Sequence, residues 1–343
     1  MLTLSIYKRI KVMKTQIKLS ILDQSPINKG KTTTEALQET TELAILSDRL
    51  GYTRFWVSEH HNTSSLAGVS PEVLIAHLAS HTQNIRIGSG GIMLPNHSSL
   101  KMAENFKLLE ALYPRRIDMG IGRAPGTDRY TASLLNPSNT FNEQDFINQL
   151  YDLIGYFHNT NSRVKVLPQL ETIPDIWLLT SSGESAFIAA HMGVGMSYAQ
   201  FINPMNGNLI IEEYKNNFEP SVDLHKPQTN VALFVFCNED QAIVDKEQAL
   251  IDFRFIQLER GGNLTSVGYD DIKNMQYSDF EKQRIRINRN RTLYGTPDVV
   301  EKKLSDMAGH YNIDEIMTIT YAEQFEHRLH SYELLASMFN LNQ

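Results

Sequence analysis

Three short segments of this chain carry residue types that can do chemistry. Glu59-His60-His61 sets a carboxylate beside two imidazoles, and an unperturbed imidazole takes up and releases protons near neutral pH. Gly122-Arg123-Ala124-Pro125-Gly126-Thr127-Asp128 puts a guanidinium in a segment of small residues, where its planar fork can meet a phosphate or carboxylate. Ser181-Ser182-Gly183 ends an apolar run and precedes a helical pattern. Backbone N–H groups at such a helix N-terminus form an anion site, and small residues let a phosphate approach. The turn taken alone is equally well read as ordinary capping of the helix by Ser182. Arg123, arriving on a neighbouring loop, favours phosphate.

Adjacent histidines also raise the question of a metal. Consecutive strand residues point to opposite faces, so His60 and His61 reach one ion only where the strand has already ended. No further His, Cys or Asp pair has ligand spacing, and no metal site is expected. A proton-transfer role for one histidine competes with a structural reading in which both imidazoles bond to loop backbone.

The elements that must position these groups alternate along the chain. Strand-like runs cover 17–22, 54–58, 85–94, 116–121, 175–179, 194–199, 231–237 and 315–320, interleaved with segments of helical periodicity. Thr32 with Glu35 is a capping box, and Gly51 and Gly309 stand where helices should close. Gly88, Gly90 and Gly91 interrupt the third run, which implies a close backbone approach there. The polar stretch 261–291 reads as an inserted loop with helical pieces between the seventh and eighth strands. Eight strand–helix units without a composition break predict one (β/α)8 TIM barrel over residues 15–343. A doubly wound sheet would need a glycine-rich fingerprint after the first strand, where Gln24-Ser25-Pro26 stands instead. In such a barrel the C-terminal ends of the strands carry the active site, so all three segments converge on one face.

Composition narrows the classes further. The 343 residues are 41% hydrophobic and 21% charged, with a net charge of −7. That balance is globular, and the acidic charge argues against nucleic acid as a partner. Cys237 is the only cysteine, so no internal disulfide forms; its apolar surroundings predict a core residue, and its solitude fits the cytoplasm. No segment has the apolar length a bilayer requires. Residues 1–14 lack the features of a signal peptide and are expected to form a disordered extension, with Met13 a second candidate start.

Arg54–His61, Ile87–Pro95 and Gly120–Asp128, together with Gly295–Val300 and Ser331–Leu335, resemble the bacterial luciferase-like monooxygenase family. The similarity runs from about Ile17 to Ala336 and is greatest to the single-chain flavin oxidoreductases. The resemblance implies a barrel that takes reduced FMN from a separate flavin reductase and reacts it with O2. A flavin C4a-peroxide then oxidises a small organic substrate. By position it makes His60 the active-site histidine and Arg123 a phosphate ligand beside Ser181, Ser182 and Gly183. Gly90-Gly91 matches a non-prolyl cis peptide beneath the flavin ring. Gly122 stands where the light-emitting catalytic subunits carry a reactive cysteine, Glu184 where they carry a hydroxyl residue at the phosphate, and a second phosphate arginine is replaced near Gln144. Light emission is therefore not expected. The family commonly pairs through early helices, which implies a homodimer. A deazaflavin-dependent reductase and a flavin-binding protein without turnover are the alternatives on the same fold.

Overall fold

The computed structural model describes residues 17–160, 163–261 and 266–342; the expected extension at residues 1–14 lies outside them. Nine strands, β1 (Lys18–Asp23), β2 (Arg54–Val57), β3 (Arg86–Met93), β4 (Ile117–Gly122), β5 (Asp175–Thr180), β6 (Gly195–Ala199), β7 (Thr229–Cys237), β8 (Thr292–Gly295) and β9 (Glu315–Ile319), form one parallel sheet among the described residues. The first helices are α1 (Thr33–Leu50), α2 (Pro71–His81), α3 (Ser99–Leu112), α4 (Arg129–Leu135), α5 (Glu143–Phe157) and α6 (Gly183–Met192). They are followed by α7 (Gly207–Asn216), α8 (Gln241–Glu259), α9 (Tyr269–Ile272), α10 (Asp279–Asn288), α11 (Pro297–Tyr311) and α12 (Phe325–Met338).

Strands β1 to β7 and β9 close on themselves, with β9 between β1 and β7 and β6 paired to β7. This is the expected (β/α)8 barrel. Its strands are apolar on both faces because helices cover the outside and side chains fill the inside; every residue of β7 is buried. The capping box of Thr32 and Glu35 opens α1, and Gly51, at φ 81°, closes it.

The ninth strand is a correction. Thr292–Gly295 pairs only with Phe234–Cys237 at the upper end of β7 and stays outside the ring. It follows directly on the polar stretch 261–291 and has only Leu293 and Tyr294 as apolar residues, so the sequence pattern passed over it. Helix α4, which precedes α5 after β4, is a further addition to the expected strand–helix units. Gly309 does not end its helix: α11 continues to Tyr311 and closes at Asn312 in the left-handed region, φ 50°, a conformation asparagine tolerates. Within 261–291 the described residues form α9, α10 and a 3-10 turn at Arg289–Arg291. This stretch is tied back to α8 by Arg284 to Glu259 at 2.7 Å and Arg289 to Asp252 at 2.7 Å.

The lower end of the barrel is plugged by charge. Arg54 reaches Asp118 at 2.9 Å and Glu315 at 2.8 Å, and the Trp56 indole donates to Asp118 at 2.9 Å. Burial opposes the Arg54 charge, yet Asp118 and Glu315 outweigh it and raise the guanidinium pKa. Above this plug Trp56 and Trp177 meet edge to face, with ring centroids 5.6 Å apart, and Trp56 with Leu22, Ala232 and Met317 makes an apolar floor. The free space lies above that floor, at the strands' C-terminal ends.

Candidate active site at the mouth of the barrel

An open cavity of about 1030 Å³, solvent at its mouth included, occupies this upper end. Its walls bring together His60 from the loop after β2, Gly90 of β3, Gly122 and Arg123 at the end of β4, and Ser181 and Ser182 after β5. Gly91 and Gly183 adjoin these residues without lining the cavity. Gln144 sits apart on α5, where its side chain donates to Asn148.

The glycines of β3 are explained by what surrounds them. A Cβ on Gly90 would stand 2.7 Å from Leu22 Cδ1 and 3.1 Å from the Trp56 ring. One on Gly91 would meet Leu179 Cδ1 at 2.6 Å and the Gly120 carbonyl at 2.8 Å. The Gly90-Gly91 peptide is cis, and the pairing with β4 shifts register between Gly90 and Ile92. Bare backbone therefore forms this wall, beside Trp56, Leu179 and Leu22.

Beside it, Glu59 is a buried hub that sequence reasoning placed in the site without seeing its task. It accepts from the Met93 backbone N–H at 2.8 Å and Asn96 Nδ2 at 3.0 Å, and lies 2.8 Å from His61 Nε2 and 3.0 Å from His97 Nε2. Burial works against ionisation of Glu59, but His97, Asn96 and His61 together bring its carboxyl below the usual range. His97 answers in the opposite direction: burial lowers its pKa, the Glu59 carboxylate outweighs that, and the net shift is upward. His61 thus serves this hub. The loop after β4 is strapped to the same place by Thr127 Oγ1 donating to the His61 carbonyl at 3.1 Å and by Asn62 to Asp128 at 3.0 Å.

His60 is turned the other way, into the cavity, with Nδ1 3.0 Å from Ser58 Oγ. The expectation that its pKa lies near the working pH needs correction. Burial pushes it down to about 4; Glu59 partly offsets this, and His61 adds to the depression. At neutral pH His60 is an uncharged imidazole that can donate one hydrogen bond and accept another.

The turn before α6 has the features of an anion site. Ser182 occupies the N-cap position but makes no side-chain capping bond, so the plain capping alternative does not account for it. The first N–H groups of α6 are accordingly left for another acceptor. Arg123, on the facing loop, is engaged by Glu184 in the first turn of α6, Nη1 to Oε2 at 2.6 Å. Among the described residues no group of three His, Cys, Asp or Glu side chains could hold a metal ion. No helix there is long and apolar enough to cross a membrane. Cys237 is buried, and burial pushes its thiol up to about 12, as suits a core residue.

The chain as a whole is similar to known proteins. A family model described as luciferase-like monooxygenase matches residues 17–310. The uncharacterized protein YwcH of Bacillus subtilis (strain 168) is 43% identical over 330 residues, spanning 94% of this chain and 99% of its own. The N-acetyl-S-alkylcysteine monooxygenase of the same organism is 35% identical over 333 residues, 93% of this chain and 97% of its own. The crystal structure of apo-MsnO8 superposes with a TM-score of 0.89 at 34% identity, covering 95% of this chain and 99% of that one.

Proposed function

This chain belongs to the luciferase-like monooxygenase family, and from that premise we propose that it is an FMN-dependent monooxygenase acting on a small organic substrate. One observation carries the reading. His60, the bare Gly90 backbone, Arg123 and the Ser181-Ser182 turn, from four different loops and strands, line a single cavity over an apolar floor. That cavity has the size and mixed lining expected of a cofactor pocket, and the bare backbone of Gly90 lines it beside Trp56 and Leu179, a surface that suits a flat ring system. The α6 N-terminus with Arg123 would hold the phosphate end. Reduced FMN, when bound, supplies the electrons that activate O2 and insert one oxygen atom into the substrate.

The chain's own residues prepare that chemistry in three ways. Trp56, Leu179, Leu22 and Phe201 keep water from the inner end of the cavity. Neutral His60, oriented from behind by Ser58, can donate to an oxygen that gains negative charge without first losing a proton of its own. The Glu59 hub fixes the loops that present His60 and Arg123, so these groups are in place before any ligand arrives.

The same reading includes delivery of the reduced flavin by a separate reductase, and a homodimer. Support for pairing comes from the apolar groove between α1 and α2, where Val69 and Val73 are 51% and 67% exposed; exposed patches of this kind mark interfaces. The direct test mixes the protein rapidly with photoreduced FMN and oxygenated buffer. A long-lived oxidised-flavin precursor absent from free FMNH2, with oxygen consumed when substrate candidates are added, is expected. Reoxidation indistinguishable from free FMNH2 would overturn the reading, and hydride transfer from reduced deazaflavin without O2 would replace it.

A further inference from the structure

A second, smaller pocket opens at the same end of the barrel, under α8, and nothing above gives it a role. Its free interior is about 40 Å³, enough for a few waters or one small polar group. Three kinds of wall meet there: apolar Leu250, Ile251 and Val267; the rings of Tyr294 and Tyr321; and the polar residues Arg254, Glu247 and Glu323.

The polar atoms are poorly satisfied, and they are donors. Arg254 makes no ion pair with any described residue; its guanidinium lies 4.4 Å over the Tyr321 ring, and its buried Nη1 has no hydrogen-bond partner among them. The buried Tyr294 hydroxyl is likewise without a partner among the described residues. Leaving two such donors buried and unanswered is unfavourable, and one acceptor with two oxygens relieves both. Both carboxylates of the wall are already engaged: Glu247 accepts from the Glu323 backbone N–H at 3.0 Å, and Glu323 Oε1 accepts from the Tyr269 backbone N–H at 3.0 Å. Burial raises the Glu247 pKa to about 7, opposed by the Glu323 backbone N–H and aided by the Glu323 carboxylate, which lessens its repulsion of an incoming anion.

The pocket is next to the main cavity. Tyr321 lines the small pocket, Gln24 lines the large one, and the Tyr321 hydroxyl donates to Gln24 Oε1. The pair forms a hydrogen-bonded wall between the main cavity and the small pocket. Behind it, Phe234 packs against both Tyr321 and Phe255.

We propose that this niche is a carboxylate subsite: Arg254 and Tyr294 anchor the acid group of an organic-acid substrate whose apolar remainder takes the place of the Tyr321–Gln24 hydrogen bond and extends into the main cavity. Calling the ligand a substrate rests on the monooxygenase reading; binding of the carboxylate does not. The test therefore uses the full-length protein without flavin, titrated by calorimetry with hexanoate and with hexanamide, its neutral counterpart. Hexanoate binds at least about tenfold more tightly. Arg254→Met, which keeps the stem over Tyr321, weakens hexanoate about ten- to a hundredfold, and Tyr294→Phe weakens it about three- to tenfold. Hexanamide binding is unchanged in both variants. Equal affinity for acid and amide, unaltered hexanoate binding in both variants, or no hexanoate binding at millimolar concentration overturns the proposal. None of these results touches the flavin reading, and a protein that fails to bind flavin can still bind hexanoate.

Discussion

Arg123 and Glu184 face each other across the rim of the cavity, Nη1 to Oε2 at 2.6 Å, so the cation expected to meet a phosphate is met first by a carboxylate of the chain itself. Both side chains are well exposed, at 38% and 48%, and exposed pairs of this kind are weak and screened. A phosphate can displace Glu184, at some loss of affinity.

Replacing Glu184 by Gln should therefore strengthen FMN binding by about two- to fivefold. Riboflavin, which lacks the phosphate, should bind as before. Arg123→Ala should weaken FMN by about tenfold and leave riboflavin untouched. Fluorescence titration of both flavins against the three proteins separates these outcomes; equal effects on FMN and riboflavin would move the phosphate elsewhere.

The buried position of His60 makes a prediction in pH. Its folded pKa of about 4 lies below the unfolded value of 6.5, so between those values the unfolded chain holds the extra proton. The contribution of this group to stability is therefore present above pH 6.5 and is lost as pH falls toward 4. From pH 7 to 5 the loss is about 2 kcal/mol, and His60→Gln should lack that part of the decline in urea unfolding. His97, shifted upward by Glu59, acts oppositely: its contribution is present below 6.5 and is lost as pH rises through its folded pKa. Imidazole NMR signals should show His60 titrating near 4 and His97 above 6.5. A His60 that titrates at 6.5 would falsify the assignment of a neutral imidazole to a dry wall.

Glu59 should be more important to the fold of the site than either neighbouring histidine. Glu59→Ala leaves the Met93 N–H without its acceptor and the Asn96 amide with only the Pro125 carbonyl, and should lower stability by about 3 kcal/mol. Glu59→Gln keeps one acceptor oxygen and should fall between it and the unchanged protein. Urea unfolding reads the ranking, and His61→Ala giving the largest loss of the three would contradict it.

The glycines rank in a testable order as well. Gly91→Ala drives its methyl against the Gly120 carbonyl, and backbone cannot step aside. Gly122→Ala meets only the end of the Met93 side chain, at 2.8 Å, which can rotate. The first change should reduce both melting temperature and flavin affinity, and the second should be nearly silent in melting temperature.

Much of this was readable before any coordinates. The alternation of apolar runs with helical periods specifies a (β/α)8 barrel because each strand must be covered outside and filled inside, and that rule alone brings Glu59–His61, Gly122–Arg123 and Ser181–Gly183 to one end. Residue types also announce themselves at Gly90 and Gly91, where a side chain has no room. What the sequence could not contain is which partner each group meets. Glu59, His97 and Asn96 are separated by nearly forty positions and become a hub only when β2 and β3 lie side by side. Arg123 and Glu184 meet only when β4 and β5 do, and the hydrogen bond between Gln24 and Tyr321 needs the first and last strands of the ring to pair. The His60 pKa turned on the same step: an imidazole's ordinary value belongs to water, and only the closed barrel decides how much water remains around it.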